Sequence, residues 1–160
     1  MVKKDEKVRV HLGCGPNYKK GWVNVDFNKT LKADLYFDLN DKWKLKSDSV
    51  DEIYTEQVIE HVQSIPHFLS EMNRVMKKKA IFTIITPNPF FWRTRLAFLF
   101  GNFQNRSVWH INHSWIIKPS GFKFLLDQYN LRAKVTGHGL LPFPDLFYNN
   151  ATYVGYLRNE

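Results

Sequence analysis

Three residues near the start of the chain have the types and spacing of a nucleoside-binding site. Gly13 and Gly15 lie in "VHLGCGPN", directly after a short apolar run, and Asp26 follows 11 residues after Gly15. Glycines have no side chain to block a ligand and adopt backbone angles closed to other residues. A carboxylate at the end of the next strand can accept two hydrogen bonds from a ribose diol. The pattern therefore predicts a ligand of the adenosine type.

The same stretch does not predict a pyrophosphate site. Tyr18 stands where the fingerprint G-x-G-x-x-G has its third glycine. The acid comes well before the position, about 20 residues on, at which the dinucleotide fingerprint places it. A plain glycine turn between two strands, with Asp26 exposed to solvent, is the alternative that the residues leave open.

Three histidines are candidate catalytic bases. His110 and His113 lie in the aromatic and basic stretch "FFWRTRLAFLFGNFQNRSVWHINHS", and His61 follows Glu60 in "VIEHV". An imidazole titrates near neutral pH and can remove a proton from a hydroxyl group. The His-x-x-His spacing also suits a metal ion on one face of a helix. Simple hydrogen bonding is a further alternative, and we expect no metal.

Short apolar runs alternate with segments of helical periodicity along the chain. The predicted strands are Val8–Leu12, Trp22–Asp26, Ala33–Leu39, Val50–Thr55, Ala80–Thr86, Ala133–Thr136 and Thr152–Leu157. Helices are predicted in "IPHFLSEMNRVM" and over Pro119–Tyr129. This alternation predicts a parallel sheet, with ligands at the carboxyl ends of its strands. A parallel crossover takes a dozen or more residues, so Gly13–Gly21 leaves room for one helical turn at most.

Five blocks in order resemble one known family. "VHLGCGPN", "GWVNVDF", "ADLYFDLN", "DSVDEIYTEQVIEHV" and "FLSEMNRVMKKKAIFTIITPNP" resemble the Rossmann-like (class I) S-adenosylmethionine-dependent methyltransferases. The resemblance is closest to their small methyltransferase domain group with a shortened first crossover. It implies an α/β sandwich: a mostly parallel central sheet, helices on both faces and an antiparallel last strand. It also implies S-adenosylmethionine as cofactor and S-adenosylhomocysteine as product.

The resemblance implies eight cofactor-binding residues. They are Gly13, Cys14, Gly15, Asp26, Asp38, Leu39, Glu56 and Gln57. In the family the glycine turn passes under the methionine part of the cofactor, and the acid of the second strand binds the ribose. The acid after the third strand lies near the adenine, and the loop after the fourth strand borders the sulfonium. The chain departs from the family at "RVMKKKA", which lacks the usual two glycines, so the element boundary near Lys79 is not fixed by the pattern.

The acceptor is less constrained by the sequence. "TEQV" follows the fourth strand where an N-P-P-Y-like turn would indicate methylation of a base or amide nitrogen, and no cysteine pair indicates methylation of a base carbon. We expect methyl transfer to a small-molecule, glycan-like or lipid-like acceptor, at oxygen. A non-catalytic subunit that keeps the fold, and an RNA methyltransferase, are the alternatives.

Composition sets the remaining expectations. The length of 160 residues predicts one domain over 1–160, with an N-terminal tail over 1–7 and an acceptor-side lid over about 87–118. The net charge of +8 permits RNA or an anionic membrane surface as a partner. The single cysteine, Cys14, cannot form an intrachain disulfide, which favours the cytoplasm. The aromatic residues of the lid could be core, an acceptor pocket or a membrane patch.

Overall fold

A computed structural model of the chain describes residues 7–88, 91–101, 113–137 and 150–158. The strands of these residues are β1 (Arg9–Leu12), β2 (Val23–Asp26), β3 (Leu35–Tyr36), β4 (Val50–Glu56), β5 (Met76–Pro87), β6 (Leu131–Gly137) and β7 (Asn150–Leu157). The helices are α1 (Ile65–Val75), α2 (Trp92–Leu99) and α3 (Pro119–Gln128).

The strands form one sheet in the order β3-β2-β1-β4-β5-β7-β6. All pairings among β1 to β5 are parallel. β7 is antiparallel to both of its neighbours, β5 and β6. From β1, in the middle of the sheet, the chain runs outward through β2 to the edge strand β3. It then returns to β4 on the other side of β1. Ligands of such sheets bind at this reversal, outside the carboxyl ends of the strands. The predicted fold class, with its antiparallel last strand, is confirmed.

The first crossover is as short as the sequence predicted. β1 and β2 pair in parallel, with Val10 opposite Val23, and the described residues between them contain no helix. Two backbone bonds hold the connection: Asn17 N–H donates to the Cys14 carbonyl at 2.9 Å, and Cys14 N–H donates to Val25 at 3.0 Å. The crossover, all of which the structure describes, therefore contributes no helix to cover the end of β1.

α1 passes into β5 without a loop. The Ser64 side chain caps the helix by accepting the His67 N–H, and Pro66 lies in the first turn, where its missing N–H costs nothing. Its inner face buries Phe68, Leu69 and Met72 against the sheet core. β5 begins at Met76, earlier than the predicted Ala80, and its pairing with β4 shifts register near Val50. Lys79 has a φ of +65°, a left-handed conformation that the glycines of the family turn would adopt more easily.

β3 is shorter than predicted. The alternation over Ala33–Leu39 predicted a full strand, but only Leu35 and Tyr36 pair regularly with β2. The carboxylate of Asp34 accepts bonds from the Asn24 backbone N–H and side chain and from the Tyr18 hydroxyl. Backbone bonds to β2 continue on either side of β3, since Asp34 N–H donates to the Asn24 carbonyl at 2.8 Å and Phe37 N–H donates to the Asp26 carbonyl at 3.2 Å.

The described part of the predicted lid is largely exposed. On and beside α2, Trp92 is 42% exposed and Phe100 80% exposed, so the core interpretation is wrong for these two aromatic residues. Leu96 and Leu99 are also exposed, while Thr94 is buried. A search of the described residues found no helix with the length and apolar character that a membrane crossing requires.

Candidate functional site

A cavity of about 530 Å³ lies at the carboxyl ends of β1, β2 and β4. This volume falls within the range typical of small-molecule and cofactor pockets, about 300–1,000 Å³. Its walls are Gly13, Gly15, Asp26, Phe27, Phe37, Asp38, Leu39, Asn40, Gln57, Val58, His61 and Val62. The cavity therefore occupies the reversal of the sheet, where the sequence predicted a ligand.

The glycine turn forms the floor of the cavity. Gly13 has a φ of +62°, and a Cβ built there would lie 2.4 Å from a methyl carbon of Val58. Gly15 has a φ of +51°, but no atom lies within 4 Å of a Cβ built on it. Both positions require the left-handed conformation, and only Gly13 is also packed against a neighbouring side chain. The turn thus brings bare backbone to the cavity wall.

The Asp26 carboxylate is fixed in place by backbone hydrogen bonds. One oxygen accepts the Gly15 N–H and the other accepts the Asn28 N–H, each at 2.8 Å. The residue is 6% exposed and lines the cavity. A carboxylate has about four lone-pair sites, so about two remain for hydroxyl donors. This is the geometry needed to accept hydrogen bonds from a ribose diol.

The opposite wall joins the loop after β3 to the loop after β4. Asp38 accepts hydrogen bonds from the backbone N–H and the side-chain amide of Asn40, each at 2.9 Å. The Asn40 side-chain oxygen in turn accepts the Gln63 N–H at 2.7 Å. These bonds hold Asp38 and Leu39 at the cavity.

Two of the eight residues implied by the resemblance do not line the cavity. The Cys14 thiol is buried and faces the Lys32 carbonyl, 3.7 Å away. The Glu56 carboxylate accepts a hydrogen bond from the Tyr54 hydroxyl at 2.6 Å and does not line the cavity. The other six line the wall, among them Gln57, which has a φ of +55°.

Two of the candidate bases come together at one end of the cavity. The ring of His61 lines the cavity, and its centroid lies 4.7 Å from that of His113. Glu60 is 1% exposed, and burial raises the pKa of its carboxyl group to about 7. His110 lies outside the described residues.

Hydrogen bonds explain how His113 reaches this position. The Glu60 carbonyl accepts the N–H groups of Ser114 at 2.8 Å and Trp115 at 3.2 Å. The Trp115 indole N–H donates to the Val62 carbonyl at 2.7 Å. The segment that carries His113 is thus fixed to the loop after β4.

Val58 lies in the loop after the fourth strand, which was expected to border the sulfonium. Four further lining residues were not predicted: Phe27, Phe37, Asn40 and Val62. Phe27 follows Asp26 directly, and this position after a strand-end acid could have indicated a cavity residue. Its side chain is 75% exposed. Phe37 and Val62 are buried, and in the sequence they are indistinguishable from other core residues.

The chain is similar to known methyltransferases in part of its sequence and in its fold. The model of a family described as "Methyltransferase domain" matches residues 19–84. The match begins after the glycine turn and runs from β2 into β5, ending three residues before that strand does. A search of curated proteins finds no match.

Solved structures extend the similarity to nearly the whole chain. A methyltransferase from Archaeoglobus fulgidus described as SAM dependent is 15% identical, with a TM-score of 0.69 over 94% of this chain and 86% of that one. A SAM-dependent methyltransferase from Thermotoga maritima is 12% identical, with a TM-score of 0.70 over 96% and 83%. A chain of the Haloferax volcanii complex between the Trm112 methyltransferase activator and a methyltransferase is 14% identical, with a TM-score of 0.69 over 99% and 86%. At these identities the likeness establishes the fold.

Proposed function

We propose that this chain, which matches a methyltransferase domain family over residues 19–84 and has the fold of SAM-dependent methyltransferases, methylates an oxygen atom of a small acceptor, glycan-like or lipid-like. One observation carries the proposal. The wall of the cavity that holds the glycine turn and Asp26 also holds His61, and His113 packs against that ring. A donor site and a proton acceptor therefore share one cavity.

The described residues fit the methyl donor that the family implies. The bare turn at Gly13 and Gly15 lets the ligand approach the backbone closely, and Asp26 keeps lone pairs free for the ribose hydroxyls. We assign Asp38 and Leu39 to the adenine end and Gln57 to the sulfonium end of the cavity. The exposed ring of Phe27 beside Asp26 offers an apolar surface for the adenine.

The histidines supply the chemistry on the acceptor side. When bound, S-adenosylmethionine supplies a methyl group activated by a sulfonium sulfur and leaves as S-adenosylhomocysteine. The chain then has to hold the acceptor in line and exclude water. A ring nitrogen of His113 or His61 takes the proton that the acceptor hydroxyl gives up as its oxygen is methylated. Such a base contributes on the order of 10²–10⁴ in rate.

The test is transfer of a labelled methyl group from S-adenosylmethionine to a panel of phenols, sugars and lipid alcohols, with matched amines as controls. We expect labelled product with at least one hydroxyl class and none with the matching amines. His113→Asn is expected to lower kcat by about 100-fold or more, while His67→Gln, a histidine on α1 away from the cavity, leaves kcat unchanged. Transfer only to amines, or equal activity of the two variants, would contradict the proposal.

The RNA alternative draws its support from the net charge of +8. Phosphate contacts would make affinity for RNA fall steeply as salt rises, whereas an uncharged acceptor responds little. Measuring binding of a short RNA at two salt concentrations separates the two cases. A chain that binds S-adenosylhomocysteine and turns over no acceptor would instead support the non-catalytic alternative.

A further inference from the structure

The Glu60 carboxyl group is buried and accepts no hydrogen bond from the described part of the chain. It is 1% exposed, and neither of its oxygens has a partner among the residues the structure describes. A buried carboxylate that is left unpaired is strongly destabilising, so such groups are protonated, paired with a cation or bound to a metal. The position therefore calls for a positively charged partner or a proton.

Two imidazole rings lie near this carboxyl group. The potential metal-binding atoms of Glu60, His61 and His113, one from each residue, all lie within 4.8 Å of one another. Nitrogen and oxygen ligands of tetrahedral zinc lie 2.0–2.2 Å from the metal, which places them about 3.4 Å apart. Closing the cluster around an ion needs shifts on the order of 1 Å. His61 is exposed at the surface, so its side chain can make such a shift.

We propose that Glu60, His61 and His113 bind a divalent transition metal ion, with Zn²⁺ as the preferred ion. Two imidazole nitrogens and one carboxylate are a donor set that suits zinc and other late divalent metals better than magnesium or calcium. Three protein ligands leave a fourth position open, as in catalytic zinc sites. No metal was expected from the sequence alone, and only the fold brings Glu60 and His113 together.

The surroundings of the cluster hold the ligands in place. The Glu60 carbonyl binds the backbone on the C-terminal side of His113, and the Trp115 indole binds the Val62 carbonyl. These bonds fix the backbone that carries Glu60 and His113. The site is therefore built from two segments that are already fixed to each other.

The open position faces the acceptor side of the proposed active site, and this part of the inference rests on the proposed function. His61 lines the cavity, so an ion held by its ring lies at the cavity wall. An acceptor hydroxyl in the open position would be oriented by the ion, and its pKa would fall. The ion would then replace the imidazole ring as the group that activates the hydroxyl. Acceptors with an oxygen donor are selected by such a site.

The experiment measures metal binding directly, without an activity assay. The full chain is treated with a chelator, dialysed and titrated with Zn²⁺ by calorimetry and with Co²⁺ by visible absorption. We expect one ion per chain and the absorption bands of tetrahedral cobalt. Binding of S-adenosylhomocysteine, measured in the same samples, tests the cofactor site separately from the metal site.

Variants locate the ion. Glu60→Gln and His113→Asn are expected to weaken Zn²⁺ binding by about 100-fold or more, and His67→Gln, outside the cluster, leaves it unchanged. His113 is half-buried on an irregular segment, so its variant remains a test if Glu60→Gln does not fold. Absence of stoichiometric Zn²⁺ binding by the wild type, or unchanged binding by a folded His113→Asn variant, overturns the metal site.

Discussion

Gly13→Ala tests whether the glycine turn is packed as the structure shows. A residue with a side chain costs about 1–2 kcal/mol in the left-handed conformation, and the φ of +62° requires that conformation. The new Cβ would also lie 2.4 Å from the Val58 methyl carbon, which forces that side chain to move. Overpacking of this kind costs about 1–3 kcal/mol more. We expect a total loss in the free energy of unfolding of about 2–5 kcal/mol.

Gly15→Ala is the matched control. Its φ of +51° carries a similar backbone cost, but no atom lies within 4 Å of the new Cβ. The loss in stability is therefore expected to stop at about 1–2 kcal/mol. Denaturant unfolding of both variants measures the difference. In a domain of this length 1 kcal/mol corresponds to about 2–4 °C in Tm.

A double-mutant cycle assigns the difference to one contact. Adding Val58→Ala to Gly13→Ala removes the methyl carbon that the new Cβ meets, so the double variant should recover about 1–3 kcal/mol relative to additivity. Because Val58 lines the cavity, Gly13→Ala should also weaken binding of S-adenosylhomocysteine. If Gly13→Ala is no less stable than Gly15→Ala, or if the two changes are additive, the packing of the turn against Val58 is refuted.

Three further predictions concern other parts of the chain. Asp26→Ala should abolish S-adenosylhomocysteine binding detectable by calorimetry. It should also lower the free energy of unfolding by about 2–5 kcal/mol, because two backbone N–H groups lose a charged acceptor. A folded variant with wild-type affinity would contradict the ribose role. Gly155→Ala in β7 should unfold the domain or lower its Tm sharply, since the new Cβ would meet the Arg132 carbonyl oxygen. A Tm equal to that of the wild type would contradict the close spacing of β6 and β7 at this position. Burial lowers the pKa of His11 below its ordinary value, so the stability it contributes is present above about pH 6.5 and is lost as the pH falls toward the folded-state pKa. His11→Gln should therefore show a smaller loss of unfolding free energy between pH 8 and pH 5 than the wild type, and an equal loss would contradict this origin.

The cofactor side of the site could be predicted because its residues are close together in the sequence. Gly13, Gly15 and Asp26 all lie within β1, its turn and β2, so strand ends in a parallel sheet place them at one edge. Two of the predicted residues lie off the cavity wall. The Glu56 side chain, at the end of β4, turns to Tyr54, and the Cys14 thiol turns inward, because the sequence does not specify side-chain direction at a strand end or in a turn.

The acceptor side could not be assembled from sequence. Glu60 and His61 meet His113 only because the segment before α3 folds back onto the loop after β4. The bond from Trp115 to Val62 spans 53 residues, and no local periodicity signals such a contact. The burial of Glu60 is equally invisible in the sequence, since a Glu-His pair after a strand would ordinarily be exposed to solvent.

We expect the cavity between Gly13 and His61 to hold S-adenosylmethionine, and a thermal shift experiment measures that binding. The wild type is heated with S-adenosylmethionine, S-adenosylhomocysteine, NAD or ATP, and Asp26→Ala serves as the site control. A ligand at about 100 times its Kd adds roughly 2.7 kcal/mol, which corresponds to a rise in Tm on the order of 5–10 °C. We predict this rise with the first two ligands only, and its loss in Asp26→Ala. A cooperative melt that none of the four ligands shifts, or that NAD and ATP shift equally, would contradict the account.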